Sequence, residues 1–301
     1  MDKARIAVVG FGNVGKEAME AVLASSDMVM AGIVEVPQLV LALKGKIHDF
    51  PVVSNVEELG KVDVAIIAAG SRCICQIAPY YLERGINTID AFDIHGDSII
   101  KLRNELEPLA KKNNAVAIIA AGWDPGTNSL ARMIMETIAP RGMTYTNYGP
   151  GMSMGHTVAV KAIEGVDDAI ALTIPEGNGI HRRLVYVKLK QGYDFNEVKE
   201  AIKEDAYFIK DTTHVFCVDD VEVLKDTGHG VHIERKGVSG TTHNQRMEFI
   251  MSVTNPAVTA QIMVSAARAS LKQTPGCYTL LEIPPIDYFN IGRDEAILRY
   301  L

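Results

Sequence analysis

The sequence predicts an α/β protein: an N-terminal Rossmann-like doubly wound parallel sheet, followed by a second α+β domain with a mixed sheet. Three features predict it. Arg5–Val9 is a short apolar run, rich in β-branched residues, that ends in G-F-G-N-V-G. Strand and helix patterns then alternate as far as Ala121, which implies parallel strands joined by helical crossovers. After Gly122 the pattern changes to several strands with fewer helices between them, which reads as a mixed sheet with helices on one face.

Gly10, Gly12 and Gly15 have the G-x-G-x-x-G spacing between the first strand and a helical pattern from Val14 to about Ser25. That context is what a dinucleotide fingerprint requires. Gly10 allows the tight turn, Gly12 lets backbone approach a pyrophosphate, and Gly15 lets helix and strand pack closely. The helix N-terminus offers free N–H groups and partial positive charge to phosphates. The other reading is a glycine-rich turn that binds nothing. A bound dinucleotide is expected to meet Gly10, Phe11, Gly12, Asn13, Val14 and Gly15. It is also expected to meet Glu35, the Gly70-Ser71 turn, and Ala91-Phe92.

Met28–Val34 reads as the second strand and Val52-Val53 as a short third. Val62–Ala69 is continuously apolar, as a strand buried on both faces should be, and ends at Gly70-Ser71. Asn87–Ala91 is the next strand, Gly96–Asn114 a helix, and Ala115–Ala121 the strand that closes the set. In the second half, Asn128–Ala139 is a helix capped by Thr127 or Asn128. Thr144–Tyr148 is a strand leading into a loop at Gly149-Pro150-Gly151. Ala169–Ile174, Leu184–Leu189, Val231–Lys236 and Met247–Thr254 are further strands, and Phe195–Asp205 is a helix. Pro256–Lys272 is a long Ala-rich helix, followed by a strand-like Cys277–Ile283. The expected organisation is a dinucleotide-binding domain over residues 1–122 and a substrate-binding and dimerisation domain over 123–274. Residues from about 275 to 301 pack back on the first.

The apolar fraction of 48% in 301 residues supports a sizeable core. A formal charge of −7 argues against a nucleic-acid partner. No apolar run reaches the roughly 18 residues that span a bilayer, and no membrane partner or signal peptide is expected. Cys73, Cys75, Cys217 and Cys277 are scattered and form no C-x-x-C. They read as reduced thiols of a cytoplasmic protein, and no metal site is expected.

Glu35 ends the second strand, where a dinucleotide fold faces the adenosine ribose. A carboxylate there accepts bonds from both ribose hydroxyls of NAD and repels the 2′-phosphate of NADP; at about 4 Å and a dielectric near 20 the repulsion is about 4 kcal/mol. Val36 and Pro37 add no positive charge, although Lys44 and Lys46 would if the loop folded back. The alternative is that Glu35 simply faces water. Asp93 follows one strand and Trp123-Asp124 another, so both acids fall at carboxyl ends of parallel strands. Two acceptor-only carboxylates suit a substrate ammonium. A helix cap for Asp93 and a plain Asp-Pro-Gly turn for Asp124 are the competing readings. Gly149–Thr157 is glycine-rich enough for backbone N–H groups to line a ligand, with Met152 and Met154 as adaptable apolar contacts. Thr173, Arg183, His229 and Asn255 lie near strand or loop ends. Arg183 could take a carboxylate bidentately, while each of the four, taken singly, also reads as an ordinary structural residue. His229-x-x-His232 lacks further ligands in register for a metal.

Over essentially its whole length the sequence resembles the meso-diaminopimelate dehydrogenases. The resemblance rests on V-V-G-F-G-N-V-G at 8–15, I-D-A-F-D-I-H-G-D at 89–97 and A-G-W-D-P-G at 121–126. G-P-G-M-S-M-G-H at 149–156 and G-V-S-G-T-T-H-N at 237–244 complete it. It implies reversible oxidative deamination of meso-2,6-diaminopimelate at its D-centre, giving L-2-amino-6-oxopimelate, ammonium and reduced nicotinamide, in lysine and cell-wall precursor metabolism. It also implies that Asp93 and Asp124 hold the reacting amino group, and that Trp123, Tyr148, Met154 and Gly155 shape that end of the pocket. Thr173, Arg183, His229 and Asn255 would hold the distal L-configured end. A homodimer is implied too. The family commonly uses NADP and carries basic residues after the second strand. Glu35-Val36-Pro37 departs from that, so a relaxed or NAD-favouring enzyme is expected. The rival readings are a cyclic-imine reductase, a dehydrogenase of other D-amino acids, and a non-catalytic dinucleotide sensor.

Overall fold

The structure, a computed structural model, describes residues 3–224 and 228–301. In chain order the elements are β1 (Ala4–Val9), α1 (Asn13–Leu23), β2 (Met28–Val34), α2 (Pro37–Lys44), β3 (Val52–Val53), β4 (Val64–Ile67) and α3 (Ser71–Leu82). Then come β5 (Asn87–Asp90), α4 (Asp97–Lys112), β6 (Val116–Ile118), α5 (Thr127–Ile138), β7 (Arg141–Tyr148), β8 (Gly151–Met152) and α6 (Met154–Lys161). The remainder are β9 (Val166–Gly177), β10 (Ile180–Leu189), α7 (Phe195–Glu204), β11 (Thr212–Cys217), β12 (His229–Ser239), β13 (His243–Val253), α8 (Asn255–Ser270), β14 (Gly276–Tyr278) and α9 (Arg293–Tyr300). Two compact units result: residues up to Leu130 together with Pro256–Leu301, and Ala131–Asn255.

The first unit holds a seven-stranded sheet in the order β14-β6-β5-β4-β1-β2-β3, with every neighbouring pair parallel. Successive side chains of a strand point to opposite faces, so β1 feeds two cores. Ile6 and Val8 pack with Ala18 and Val22 of α1 and with Ala260, Met263 and Val264 of α8. Ala7 and Val9 belong with Ile74 and Ala78 of α3 and Leu102 and Leu106 of α4. Helices therefore cover both faces, the arrangement expected of a doubly wound sheet. Each fully buried Ile, Val or Leu contributes about 1.5–3 kcal/mol. The Ala-rich α8, placed with the second domain from sequence, lies in the first unit because its small buried side chains join the β1 core.

In the second unit a four-stranded sheet runs β11-β10-β9-β8 and a three-stranded one β13-β12-β7. The first is mixed, since β10 and β11 are parallel and the other pairs antiparallel. Val160 of α6 and Val198 and Ile202 of α7 pack on Ala169, Ala171, Val185 and Val187 of this sheet. In the other sheet the buried Arg235 donates from Nε and Nη2 to the Ala139 carbonyl at 2.8 and 2.6 Å, and from Nη1 to Thr144 Oγ1 at 2.7 Å. That satisfies a carbonyl at the C-terminus of α5, which has no intrahelical partner.

Four further expectations change. The second unit holds two sheets where one was expected. Cys277–Ile283 is strand only as far as Tyr278: the Thr279 N–H donates to the Glu282 carboxylate at 2.8 Å, and this capping box turns Leu280–Glu282 into a 3-10 turn. β14 then adds outside β6, so Ala115–Ala121 does not end the sheet. The Gly149–Thr157 loop contains β8 and the start of α6. Among the described residues no helix is long and apolar enough to cross a membrane.

Candidate active site

Five adjacent strands, β6-β5-β4-β1-β2, end along one edge of the parallel sheet, where open α/β sheets bind ligands. Gly10 follows β1 with φ of +86°, and a Cβ there would lie 3.0 Å from the Ala68 carbonyl. A Cβ on Gly15 would come within 2.1 Å of the Gly10 carbonyl, so only glycine lets α1 approach the turn. Gly12 differs: its φ is −73°, it caps α1, and a Cβ would meet nothing within 4 Å. Backbone strain and protein packing therefore do not require glycine at 12, whereas a ligand approaching the backbone would. α1 has no side-chain cap and no acidic residue in its first turn, so its N–H groups remain for an anion. The first unit thus fits a dinucleotide. Glu35 does not merely face water. Its two oxygens accept from the N–H groups of Phe11 and Val36, each at 2.8 Å, which fixes the carboxylate beside the glycine turn.

Ser71, the first residue of α3, donates from Oγ to Asp93 Oδ1 at 2.5 Å, and the Asp93 N–H donates back to Ser71 Oγ at 3.1 Å. Asp93 thus bonds the neighbouring strand's turn and does not cap α4, whose cap position is Gly96, with no side-chain cap bond. Trp123 is buried and Asp124 half-buried. Asn128 Nδ2, wholly buried, donates to Asp124 Oδ2 at 3.4 Å. Ala91-Phe92 leads into the Asp93 loop, with Phe92 buried. Sequence reading missed Asp90 at the end of β5. Its Oδ1 accepts from the N–H groups of Phe92 at 2.9 Å and Ala120 at 3.2 Å, while Oδ2 is buried without a partner. This one side chain ties the ends of β5 and β6, from which the two aspartate loops depart. Burial outweighs the two donors and pushes its carboxyl up to about 7.

In the second unit four of the predicted residues, Tyr148, Thr173, Arg183 and His229, lie around Gly149–Gly151. Thr173 of β9 and Arg183 of β10 are register partners, and Arg183 Nη1 donates to Thr173 Oγ1. A Cβ on Gly149 would lie 2.2 Å from the Thr173 carbonyl, and one on Gly151 would lie 2.4 Å from the Gly228 carbonyl and 2.9 Å from His229 Cα. These close approaches bring Tyr148, Thr173 and His229 to one locality. The Tyr148 N–H donates to His181 Nε2 at 2.7 Å. Met154 and Gly155 open α6, and Asn255 is the first residue of α8. His156 bonds Ser153 Oγ at 2.8 Å and the Tyr207 carbonyl at 3.1 Å. Because that carbonyl needs a donor, Nε2 carries the proton and Nδ1 accepts from Ser153. Burial, then the Arg183 charge, lowers His156 and His229 each to about 4 and His181 in the same direction. These three rings are neutral near pH 7, so Arg183 is the principal positive charge among them.

Among the described residues His232, Glu234 and Glu248 place ligand atoms within 4.8 Å of one another. Arg246 pairs with both glutamates, at 3.4 and 2.7 Å, which supplies the positive charge there. His229 is outside this group.

Meso-diaminopimelate D-dehydrogenase of Bacteroides fragilis is 53% identical over 297 residues, covering 99% of each chain. The chain belongs to the meso-diaminopimelate D-dehydrogenase family. The Diaminopimelic acid dehydrogenase C-terminal domain family matches residues 122–255. The meso-diaminopimelate D-dehydrogenase of Ureibacillus thermosphaericus is 31% identical over 94% of this chain and 95% of its own. Among solved structures, the DAP dehydrogenase of C. glutamicum in complex with DAP superposes with a TM-score of 0.87 at 26% identity, covering all of both chains. An engineered D-amino acid dehydrogenase bound to NADP+ gives 0.82 at 25% identity, over 99% of this chain and 100% of its own. The family inferred from the sequence motifs is the one these relatives share, and the meso-diaminopimelate D-dehydrogenase fold accounts for both units.

Proposed function

We propose that the protein oxidatively deaminates meso-2,6-diaminopimelate at its D-centre, giving L-2-amino-6-oxopimelate and ammonium, with a nicotinamide dinucleotide as oxidant. The observation that carries this reading is the sheet edge. The glycine turn after β1, Ser71 after β4, Asp93 after β5 and Asp124 after β6 follow adjacent parallel strands of one unit. Carboxylates beside a dinucleotide turn suit an ammonium next to the carbon that loses hydride.

In this scheme Asp93, held by Ser71, and Asp124, held by Asn128, bind the reacting ammonium. Asp124, or a water it orients, takes the proton the ammonium must lose. The nicotinamide, when bound, takes up the hydride. Water then adds to the substrate imine and ammonium leaves. Trp123, Tyr148, Met154 and Gly155 shape the reacting end. Thr173, Arg183, His229 and Asn255 bind the distal amino-acid end, where Arg183 supplies donors for the carboxylate. Replacing Asp124 with Ala is expected to abolish ammonia release while dinucleotide binding persists; ammonia release at the wild-type rate would refute its role.

Glu35 supports NAD as an accepted, even favoured, cofactor alongside the NADP of family habit. Its carboxylate is fixed beside the turn and no basic residue follows it at 36 or 37. The four unpaired thiols support a reducing, cytoplasmic setting. A homodimer is the family expectation, and Ile134, Met143 and Ile250 of the second unit, exposed at 56%, 61% and 71%, are the side chains such a contact would cover. Light scattering on the purified protein would give twice the chain mass; a monomer would refute dimerisation.

A further inference from the structure

Arg183 is held by more than Thr173. Its Nε donates to Asp211 Oδ2 at 2.6 Å, with the two side chains 13% and 24% exposed. Asp211 lies immediately before β11, whose register sets Thr213 beside Arg183, and its backbone is fixed on both sides. Its N–H donates to the carbonyl of the buried Phe208 at 2.9 Å, and Thr213 Oγ1 donates to its carbonyl at 3.2 Å. The carboxylate is therefore mounted on a rigid corner of the β10–β11 pair.

A guanidinium has five N–H donors in a planar fork. Asp211 takes the one on Nε and Thr173 takes one on Nη1, from opposite neighbouring strands. Three donors remain, one on Nη1 and two on Nη2, which leaves one from each nitrogen for the end-on pair that a carboxylate accepts bidentately. Arg183 on its own would sample many rotamers, because a long side chain loses entropy when it is held still.

We propose that Asp211 is a positioning residue for substrate specificity: by holding Nε against Thr173 on the other side, it presents the Nη fork of Arg183 to the carboxylate of the substrate's distal end. Asp211 does not itself touch the reacting carbon. This inference rests on the proposed function, through the role of Arg183 at the distal end.

The test is steady-state kinetics of Asp211→Ala and Asp211→Asn at saturating dinucleotide with varied meso-diaminopimelate, alongside dinucleotide Kd by fluorescence titration. A charge-assisted hydrogen bond lost from the binding apparatus raises KM about ten- to a hundredfold in D211A. The kcat stays within about threefold and the dinucleotide Kd is unchanged. Asn keeps an oxygen to accept from Nε but lacks the charge, so D211N falls between wild type and D211A. Wild-type KM in both variants would overturn the proposal. So would an equal loss in both that also weakens dinucleotide binding, because that pattern marks a purely structural residue. Wild-type turnover is measured first: silence there refutes the proposed function itself, whereas the ratios of variant to active wild type bear on Asp211 alone.

Discussion

Asp90→Asn changes one buried group that the fold holds against its ordinary chemistry. The wild-type carboxyl is wholly buried, keeps its proton up to about pH 7 because burial disfavours the charge, and has an ordinary value of 3.8. Between those two pH values the unfolded chain releases a proton that the native chain retains. Stability is therefore undiminished by this group below about pH 4, falls as pH rises, and levels off above about 7. At 1.36 kcal/mol per pH unit the full span is worth about 4 kcal/mol, an upper limit. Asparagine has no proton to hold. Its oxygen can still accept from Phe92 and Ala120, but its NH2 replaces the unpartnered Oδ2, at a pH-independent cost of about 1–3 kcal/mol. Urea unfolding of both proteins, followed by circular dichroism at intervals from pH 4 to 8, separates the two effects. The stability of D90N minus that of wild type rises with pH by up to about 4 kcal/mol and then plateaus. A difference that stays flat across this range would refute the burial argument, and a falling one would mean that Asp90 is charged and paired in the native state.

Gly12→Ala keeps the wild-type melting temperature yet binds dinucleotide at least about tenfold more weakly, because space is open around position 12 only until the ligand arrives. Gly15→Ala loses both stability and binding, since its Cβ would fall 2.1 Å from the Gly10 carbonyl; equal melting temperatures for G12A and G15A would contradict that geometry. Glu35→Ser removes a charge whose repulsion of a 2′-phosphate is about 4 kcal/mol before solvent screening, so the kcat/KM ratio of NADP to NAD rises about tenfold or more; an unchanged ratio would show that Glu35 does not face the ribose. His156 is held neutral down to about pH 4, so the unfolded chain binds an extra proton as pH falls from 6.5 towards 4, and wild-type stability falls with it. His156→Asn flattens part of that fall in a pH series of melting temperatures, and parallel curves would refute it.

The first unit was legible because most of its strands are apolar runs that end on one sheet edge. Gly10 and Gly15 are read from the glycine turn after β1, and Glu35 and Asp93 from their places just after the carboxyl ends of β2 and β5. Asp90 escaped because I-D-A reads as the end of a strand, and only the parallel pairing of β5 with β6 brings the Ala120 N–H to its carboxylate. Asp211 escaped because a lone acid before a strand has no local signature; its meaning comes from Arg183, which lies far away in sequence. The split of the second half into two sheets was hidden for a related reason. β13 is exposed over its first four residues and alternates half-buried and exposed from Met247 on, a pattern that fits either sheet, and the pairing partner decides. α6 is only eight residues long and follows Gly-Pro-Gly, so turn chemistry masked its start.

The most direct test of the account is initial-rate absorbance of the reduced nicotinamide with meso-diaminopimelate, run beside the LL isomer and with NADP and NAD in parallel. Turnover is expected with the meso isomer and essentially none with LL, which has no D-centre. No turnover of the meso isomer with either cofactor, under conditions where dinucleotide is bound, would contradict it.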